Sequence, residues 1–284
     1  MIVPFRWDWL KPTIQAPYVP TLGVVAPELL SVALFDAVVD AAAHDGFLPY
    51  DKDRRWFASK NERVLPGATI HRPDCTRIAT LTTGKLLTVH HYSADDPDLD
   101  AITQFAGTLA AEYRATGHRV LSFTAHGKAP GARSRLMRQD LDDTYQRDPG
   151  PVESLADCEF ADTFPVFAGQ LGQDGFTFLL QRMRRGHDDG PIMVTTDRRR
   201  IVGAIGPLST LIDASGVRFL APPYFAVHPA CRGQGMGRAL WRAAAAWAQG
   251  QGAAYHVLQA ETGSPAERLY LSEGLRTLGF KHSI

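Results

Sequence analysis

Apolar positions along this chain change spacing several times, from three- and four-residue intervals to short unbroken runs. After Pro27, the series Leu30, Ala33, Leu34, Ala37, Val38 and Ala41 predicts a core-facing helix, stopped by His44-Asp45-Gly46. Residues 76–82 and 85–92 are β-rich runs around Thr83-Gly84, the pattern of a hairpin. Asp98 opens a second amphipathic helix with Leu99, Ile102, Phe105, Leu109 and Tyr113 on one stripe, ending near Gly117, and a strand over 119–124 follows. Asp148-Pro149-Gly150-Pro151 continues neither regular structure, which places a domain boundary there and divides the chain into 1–150 and 151–284. Beyond it the pattern predicts helices through Arg185, strands over 192–196 and 201–208 around a turn, and a strand ending in Tyr224-Phe225-Ala226-Val227-His228. A helix carrying Leu240, Ala244 and Trp247 comes next, then a strand over 255–260, a Gly263-Ser264-Pro265 loop and a helix through Tyr270.

The two halves repeat an order of elements: strand, helix, Gly-containing link, strand, loop and an Arg-containing helix. Val120 and Val257 mark equivalent strands in the two copies, a weak repeat by residue identity.

Composition narrows the class. With 45% hydrophobic and 21% charged residues in 284, the chain reads as globular, and either one large or two ordinary domains fit its length. Thirty basic residues against thirty acidic ones leave no net field for polyanions, which argues against a DNA-binding role. Cys75, Cys158 and Cys231 form no metal or disulfide pattern and fit a reducing, cytoplasmic setting. The opening MIVPFRWDWLKP lacks an apolar core of export-signal length, and no stretch reads as a membrane span.

The sharpest chemical signal is Arg232-Gly233-Gln234-Gly235-Met236-Gly237-Arg238, between a strand and a helix. Glycines in such a turn permit positive φ and close approach, so successive N–H groups aim into one concavity at a helix N-terminus. That arrangement cradles a diphosphate, with Arg232 and Arg238 adding charge-assisted contacts. The spacing breaks the G-x-G-x-x-G dinucleotide pattern at Arg238, and Gly237-Arg238-Ala239 lacks the G-K-[ST] of a P-loop.

Val227-His228-Pro229 followed by Arg232-x-x-Gly235-x-Gly237 resembles the V-x-P and [QR]-x-x-G-x-[GA] signature of the GNAT acyl-CoA N-acyltransferase superfamily. The run Ala266-Glu267-Arg268-Leu269-Tyr270-Leu271-Ser272-Glu273-Gly274-Leu275 is similar to that family's A-x-x-L-Y-x-x-x-G-F helix. The polar position before that helix, usually Asn in the family, falls on Gly263 or Ser264. The resemblance covers 155–284 and implies an α/β (α+β) fold with a mixed, mainly antiparallel sheet flanked by helices.

By that resemblance, backbone groups of Phe225, Ala226 and Val227 pair with the pantetheine arm, Ser264 and Ala266 lie along the cofactor, and the Val227 N–H serves as oxyanion donor. Tyr270 occupies the position of the general acid. Glu261 and His228 are the nearest titratable candidates for a base, against plainer roles as a strand-end or loop residue, and a water chain is the remaining route. The co-substrate implied is acetyl-CoA or another acyl-CoA, and the acceptor a small-molecule amine, in a monomer or homodimer.

Where 151–284 carries its glycine loop, the first half reads Ser93-Ala94-Asp95-Asp96-Pro97-Asp98-Leu99-Asp100, whose carboxylates repel a diphosphate. Arg135-Leu136-Met137 stands where the tyrosine falls. Residues 1–150 therefore read as a degenerate GNAT-like domain in a tandem arrangement, shaping the acceptor pocket or serving as plain scaffold. A GNAT-fold transferase using aminoacyl-tRNA as donor is one alternative function, and a non-catalytic acyl-CoA sensor or interaction module is another. His90-His91 point to opposite faces of a strand and do not predict a metal site, Cys231 has no partnered base, and the arginines at 182–185 and 198–200 read as solvated turns or helix ends.

Overall fold

In the computed structural model, the described residues are 16–43, 46–72, 75–93, 98–127, 132–141, 148, 150–171 and 175–284. The expected helix stop at His44-Asp45, part of the Asp-rich stretch (94–97) and Pro149 of the expected linker lie outside them. Elements run in the order β1 (Tyr18–Val19), β2 (Gly23–Val24), α1 (Val32–Ala43), β3 (Glu62–Val64), β4 (Ile70–His71), β5 (Cys75–Thr82), β6 (Leu86–Ser93), α2 (Leu99–Glu112), β7 (Gly117–Thr124) and β8 (Ala132–Asp140). Then come β9 (Glu153–Ser154), α3 (Phe164–Gln170), α4 (Phe176–Arg184), β10 (Met193–Asp197), β11 (Arg200–Gly206), β12 (Thr210–Ile212), β13 (Arg218–Leu220) and β14 (Tyr224–Val227). The chain closes with α5 (Met236–Gly250), β15 (Tyr255–Glu261), α6 (Pro265–Ser272) and β16 (Arg276–Ser283).

The architecture is mixed α/β, with antiparallel-rich sheets flanked by helices. Two compact units divide it: the chain up to Arg138 together with Val257–Ile284, and Gln139–His256. This partition differs from a cut at 150, because Val257–Ile284 groups with the first unit.

In the first unit, β6 pairs β5 antiparallel and β7 parallel, and β16 lies antiparallel between β7 and β8. Asp98 caps α2 by accepting from the Ala101 N–H at 3.0 Å, and Ile102, Ala106 and Leu109 bury one face against Ala79, Leu87, Val89 and Val120. Two expectations change here. Pro27 opens only a short 3-10 turn, Pro27–Leu29, and the helix starts at Val32, with the Ser31 Oγ accepting from Leu34 N–H at 3.2 Å. The stretch around Arg135, expected as an Arg-containing helix, is strand β8, because β16 supplies ladder partners from Arg276↔Arg138 to Ser283↔Ala132. The expected repeat therefore fails after β7. The offset that pairs Val120 with Val257 also sets Leu99, the start of α2, on Met236, the start of α5.

In the second unit the sheet order is β14-β11-β10-β9. The opposite face from α5 is covered by α3 and α4, where Phe164, Phe167, Phe176 and Leu179 pack with Ala226, Ala204 and Val194. On the α5 face, a Cβ added at Gly203 would stand 2.9 Å from Leu240 Cδ1 and 3.4 Å from Val227 Cγ2, so a glycine lets the helix sit close on β11. This close packing fixes the start of α5 relative to the end of β14. A further hairpin, β12–β13, pairs in parallel with the start of β15 through Phe219↔Tyr255.

Candidate functional site

The site is built from a strand, a turn and a helix start that are contiguous in the second unit. β14 is the last strand of its sheet and pairs only with β11 among the described residues, in the register Gly203↔Val227, Ala204↔Ala226, Ile205↔Phe225. His228 N–H donates to Val202 O at 2.8 Å, which identifies the 202/228 pair as hydrogen-bonded. Antiparallel ladders alternate, so Ala226 turns its N–H and C=O toward β11, whereas Phe225 and Val227 turn theirs to the outer side. Of the three backbone positions expected to meet a pantetheine arm, two face outward. Ala226 does not.

The chain then leaves the sheet. Pro229–Cys231 forms a 3-10 turn whose first amide, Ala230 N–H, donates to His228 Nδ1 at 3.3 Å. That contact gives His228 a local capping role. Arg232 donates from Nε to Val227 O at 3.0 Å, and Cys231 is buried. Gly233 and Gly235 take φ of +79° and +83°, the region that favours glycine, and an added Cβ on either meets nothing within 4 Å. Glycine is therefore demanded there by backbone conformation. Gly237, expected to share that conformation, sits within α5 and is not among the positive-φ glycines.

Gly235 is the N-cap residue of α5, and no side chain caps that terminus. The first intrahelical bond is Ala239 N–H to Gly235 O at 3.0 Å, so the amides of Met236 and Gly237 precede the ladder. Gln234 and Arg238 are exposed beside them. Exposed amides and the positive helix end together attract an anion. In the first unit the residue immediately before the start of α2 is Asp98, whose carboxylate accepts from the Ala101 N–H at that helix start.

The remaining expected residues lie in the first unit. Glu261 ends β15 and is exposed, and its carbonyl accepts from Ser264 N–H at 3.1 Å. Ser264 is the N-cap of α6, its Oγ accepting from Glu267 N–H at 3.1 Å, with Ala266 half-buried in the first turn. Glu267, a residue sequence reasoning passed over, is buried and organises this loop. It accepts from Gly263 N–H at 2.5 Å and from Arg135 Nε at 2.6 Å. Burial raises its pKa, but the Arg135 and Gly263 contacts outweigh that and hold the carboxyl below its usual range. The Ser264-x-x-Glu267 spacing of a capping box was the available signal. Tyr270 is 8% exposed, and burial raises the pKa of its phenol above the ordinary tyrosine value.

Among the described residues, no group of three His, Cys, Asp or Glu is placed to hold a metal ion, and no helix is long and apolar enough to cross a membrane.

A strand that turns amides outward and runs through a glycine turn into a helix start without a side-chain cap is an arrangement suited to an anionic ligand. Residues 188–276 match the family model described as an acetyltransferase (GNAT) domain. Among solved structures, the chain is similar to a GCN5-related N-acetyltransferase from Sphaerobacter thermophilus, at 16% identity and TM-score 0.48, covering 88% of this chain and 90% of that one. An acetyltransferase of the GNAT family from Colwellia psychrerythraea is 14% identical, with TM-score 0.45 and 72% and 79% of the two chains covered. A tandem GNAT protein from the clavulanic acid biosynthesis pathway is 13% identical, with TM-score 0.44 and 87% and 92% covered. No curated protein matches the sequence.

Proposed function

We propose that this protein is an N-acyltransferase that moves an acyl group, acetyl in the first instance, from acyl-CoA to the amine of a small molecule. One observation carries the reading: the outward-facing Val227 amide leads within a few residues to the uncapped start of α5. A thioester arm pairing along β14 and a diphosphate on the Gly233–Gly237 amides use those two features together. The amine nitrogen attacks the thioester carbonyl, a C–N bond forms, and the oxyanion of the tetrahedral intermediate accepts from Val227 N–H. Collapse breaks the C–S bond and releases the CoA thiolate, which takes a proton. Tyr270 is the proposed proton donor on the resemblance of 266–275 to the family's helix; burial raises its pKa, so donation has to be coupled to the collapse of the intermediate. His228 and Glu261 remain the candidate bases.

The first unit is proposed to be a degenerate copy without cofactor binding. Its β6 and β7 are joined by a parallel ladder from Leu86↔Gly117 to His91↔Ser122, and Asp98 fills the helix start that a diphosphate requires. The test is direct: isothermal titration with acetyl-CoA, and release of free thiol with acetyl-CoA and a panel of amines. Binding and amine-dependent thiol release are expected, with turnover in Tyr270→Phe reduced ~100-fold, the lower range for loss of a general acid. Absence of acetyl-CoA binding overturns the assignment, and unchanged turnover in Tyr270→Phe overturns the acid.

A further inference from the structure

We infer that Arg232 is a positioning residue that aims the Val227 amide, rather than a ligand of the diphosphate; the inference rests on the transferase reading above. Its Nε donates to Val227 O at 3.0 Å, back across the turn. The peptide that carries this carbonyl also carries His228 N–H, which donates to Val202 O at 2.8 Å. One peptide plane is thus held at both ends, by β11 on the inner side and by Arg232 on the outer side. A fixed plane after Val227 fixes the backbone torsion at Val227, and with it the direction of the N–H on the plane before. Without Arg232 the outer end of that plane loses this donor in the unliganded protein, at the last residue of an edge strand.

The position of the donating atom makes the two roles separable. Nε of arginine and the Nε2 amide of glutamine are both four bonds out from Cα, so glutamine can donate the same bond to Val227 O without carrying a charge. A phosphate contact needs the charge and the two terminal nitrogens, which glutamine lacks. Methionine matches the length and has neither.

The experiment compares wild type, Arg232→Gln and Arg232→Met by kcat and KM with acetyl-CoA, by titration with ADP as a probe of the diphosphate turn, and by amide exchange of 225–235 in the unliganded protein. In Arg232→Gln, kcat is expected within about 3-fold of wild type, with exchange at His228 unchanged. For Arg232→Met, kcat is expected to fall about 10-fold or more, as small misplacements of catalytic groups do, with faster exchange at His228. The ADP dissociation constant should move less than about 2-fold in both, because the amides at 233–237 are untouched. Equal loss in both variants together with weakened ADP binding overturns the positioning role in favour of a phosphate contact. Unchanged exchange at His228 in Arg232→Met overturns it without any ligand. A wild-type protein that binds neither acetyl-CoA nor ADP overturns the transferase reading instead, a separate signature.

Discussion

At the scale of single residues, the phase of one strand decides which backbone groups are available for chemistry. Val227 and Ala226 are neighbours of similar character, yet only Val227 turns its amide away from β11. Proline substitution separates them, because proline removes the N–H and is tolerated where that N–H is not part of the ladder. Val227→Pro is expected to keep the fold, with a thermal midpoint a few degrees lower, while losing ~100-fold or more in kcat, as removal of an oxyanion donor does. Ala226→Pro should instead cost a ladder bond and lower stability markedly. Circular dichroism with thiol-release kinetics distinguishes the two, and an active Val227→Pro enzyme rules out that amide as the donor. The resemblance marked residues 225 to 227 alike for pairing with the pantetheine arm and Val227 alone as oxyanion donor. Only pairing with β11 shows which of their amides face outward, since ladder phase is a property of two strands.

At the scale of elements, three helix starts were legible because their signals are local: Asp98 before α2, the glycine turn before α5 and the Gly263-Ser264-Pro265 loop before α6. Pro27 misled for the same local reason, being as acceptable in the first turn of a 3-10 segment as in an α-helix. Strand β8 was not legible, since its partner β16 lies far along the chain. The contrast between α2 and α5 gives a test at this scale. Gly235→Asp places a carboxylate where Asp98 sits in α2, filling and charging the helix start. It is expected to weaken acetyl-CoA binding at least ~10-fold, whereas Gly235→Ala should cost mainly backbone strain of roughly 1 kcal/mol. Titration of both variants decides it, and intact binding in Gly235→Asp refutes the anion site.

Across the whole molecule, buried histidines tie stability to pH in both units. Burial lowers the pKa of His90, in the first unit, to about 4, and that of His256, in the second, to about 3. The unfolded chain, with histidines near 6.5, binds more protons below that pH, so stability falls as pH drops from about 6.5 toward the folded values. The loss accrues at about 1.4 kcal/mol per pH unit for each histidine until its folded pKa is reached. Carboxylates such as Glu267, held low by their partners, lose their contribution only near and below pH 4, so the interval from 6.5 to 4.5 isolates the histidines. Urea unfolding across that interval should show a falling midpoint, less steep in His90→Leu, and a flat midpoint would refute the linkage. The sequence by itself determined the local elements, the glycine turn and its likeness to an acyl-CoA binding motif, because caps, periodicity and positive-φ glycines act within a few residues. Only the tertiary structure decided that 257–284 joins the first unit, that β16 makes β8 a strand, and that Val227 rather than Ala226 faces outward. Those outcomes depend on pairing between segments distant in the chain, and no local pattern encodes the register of a partner strand.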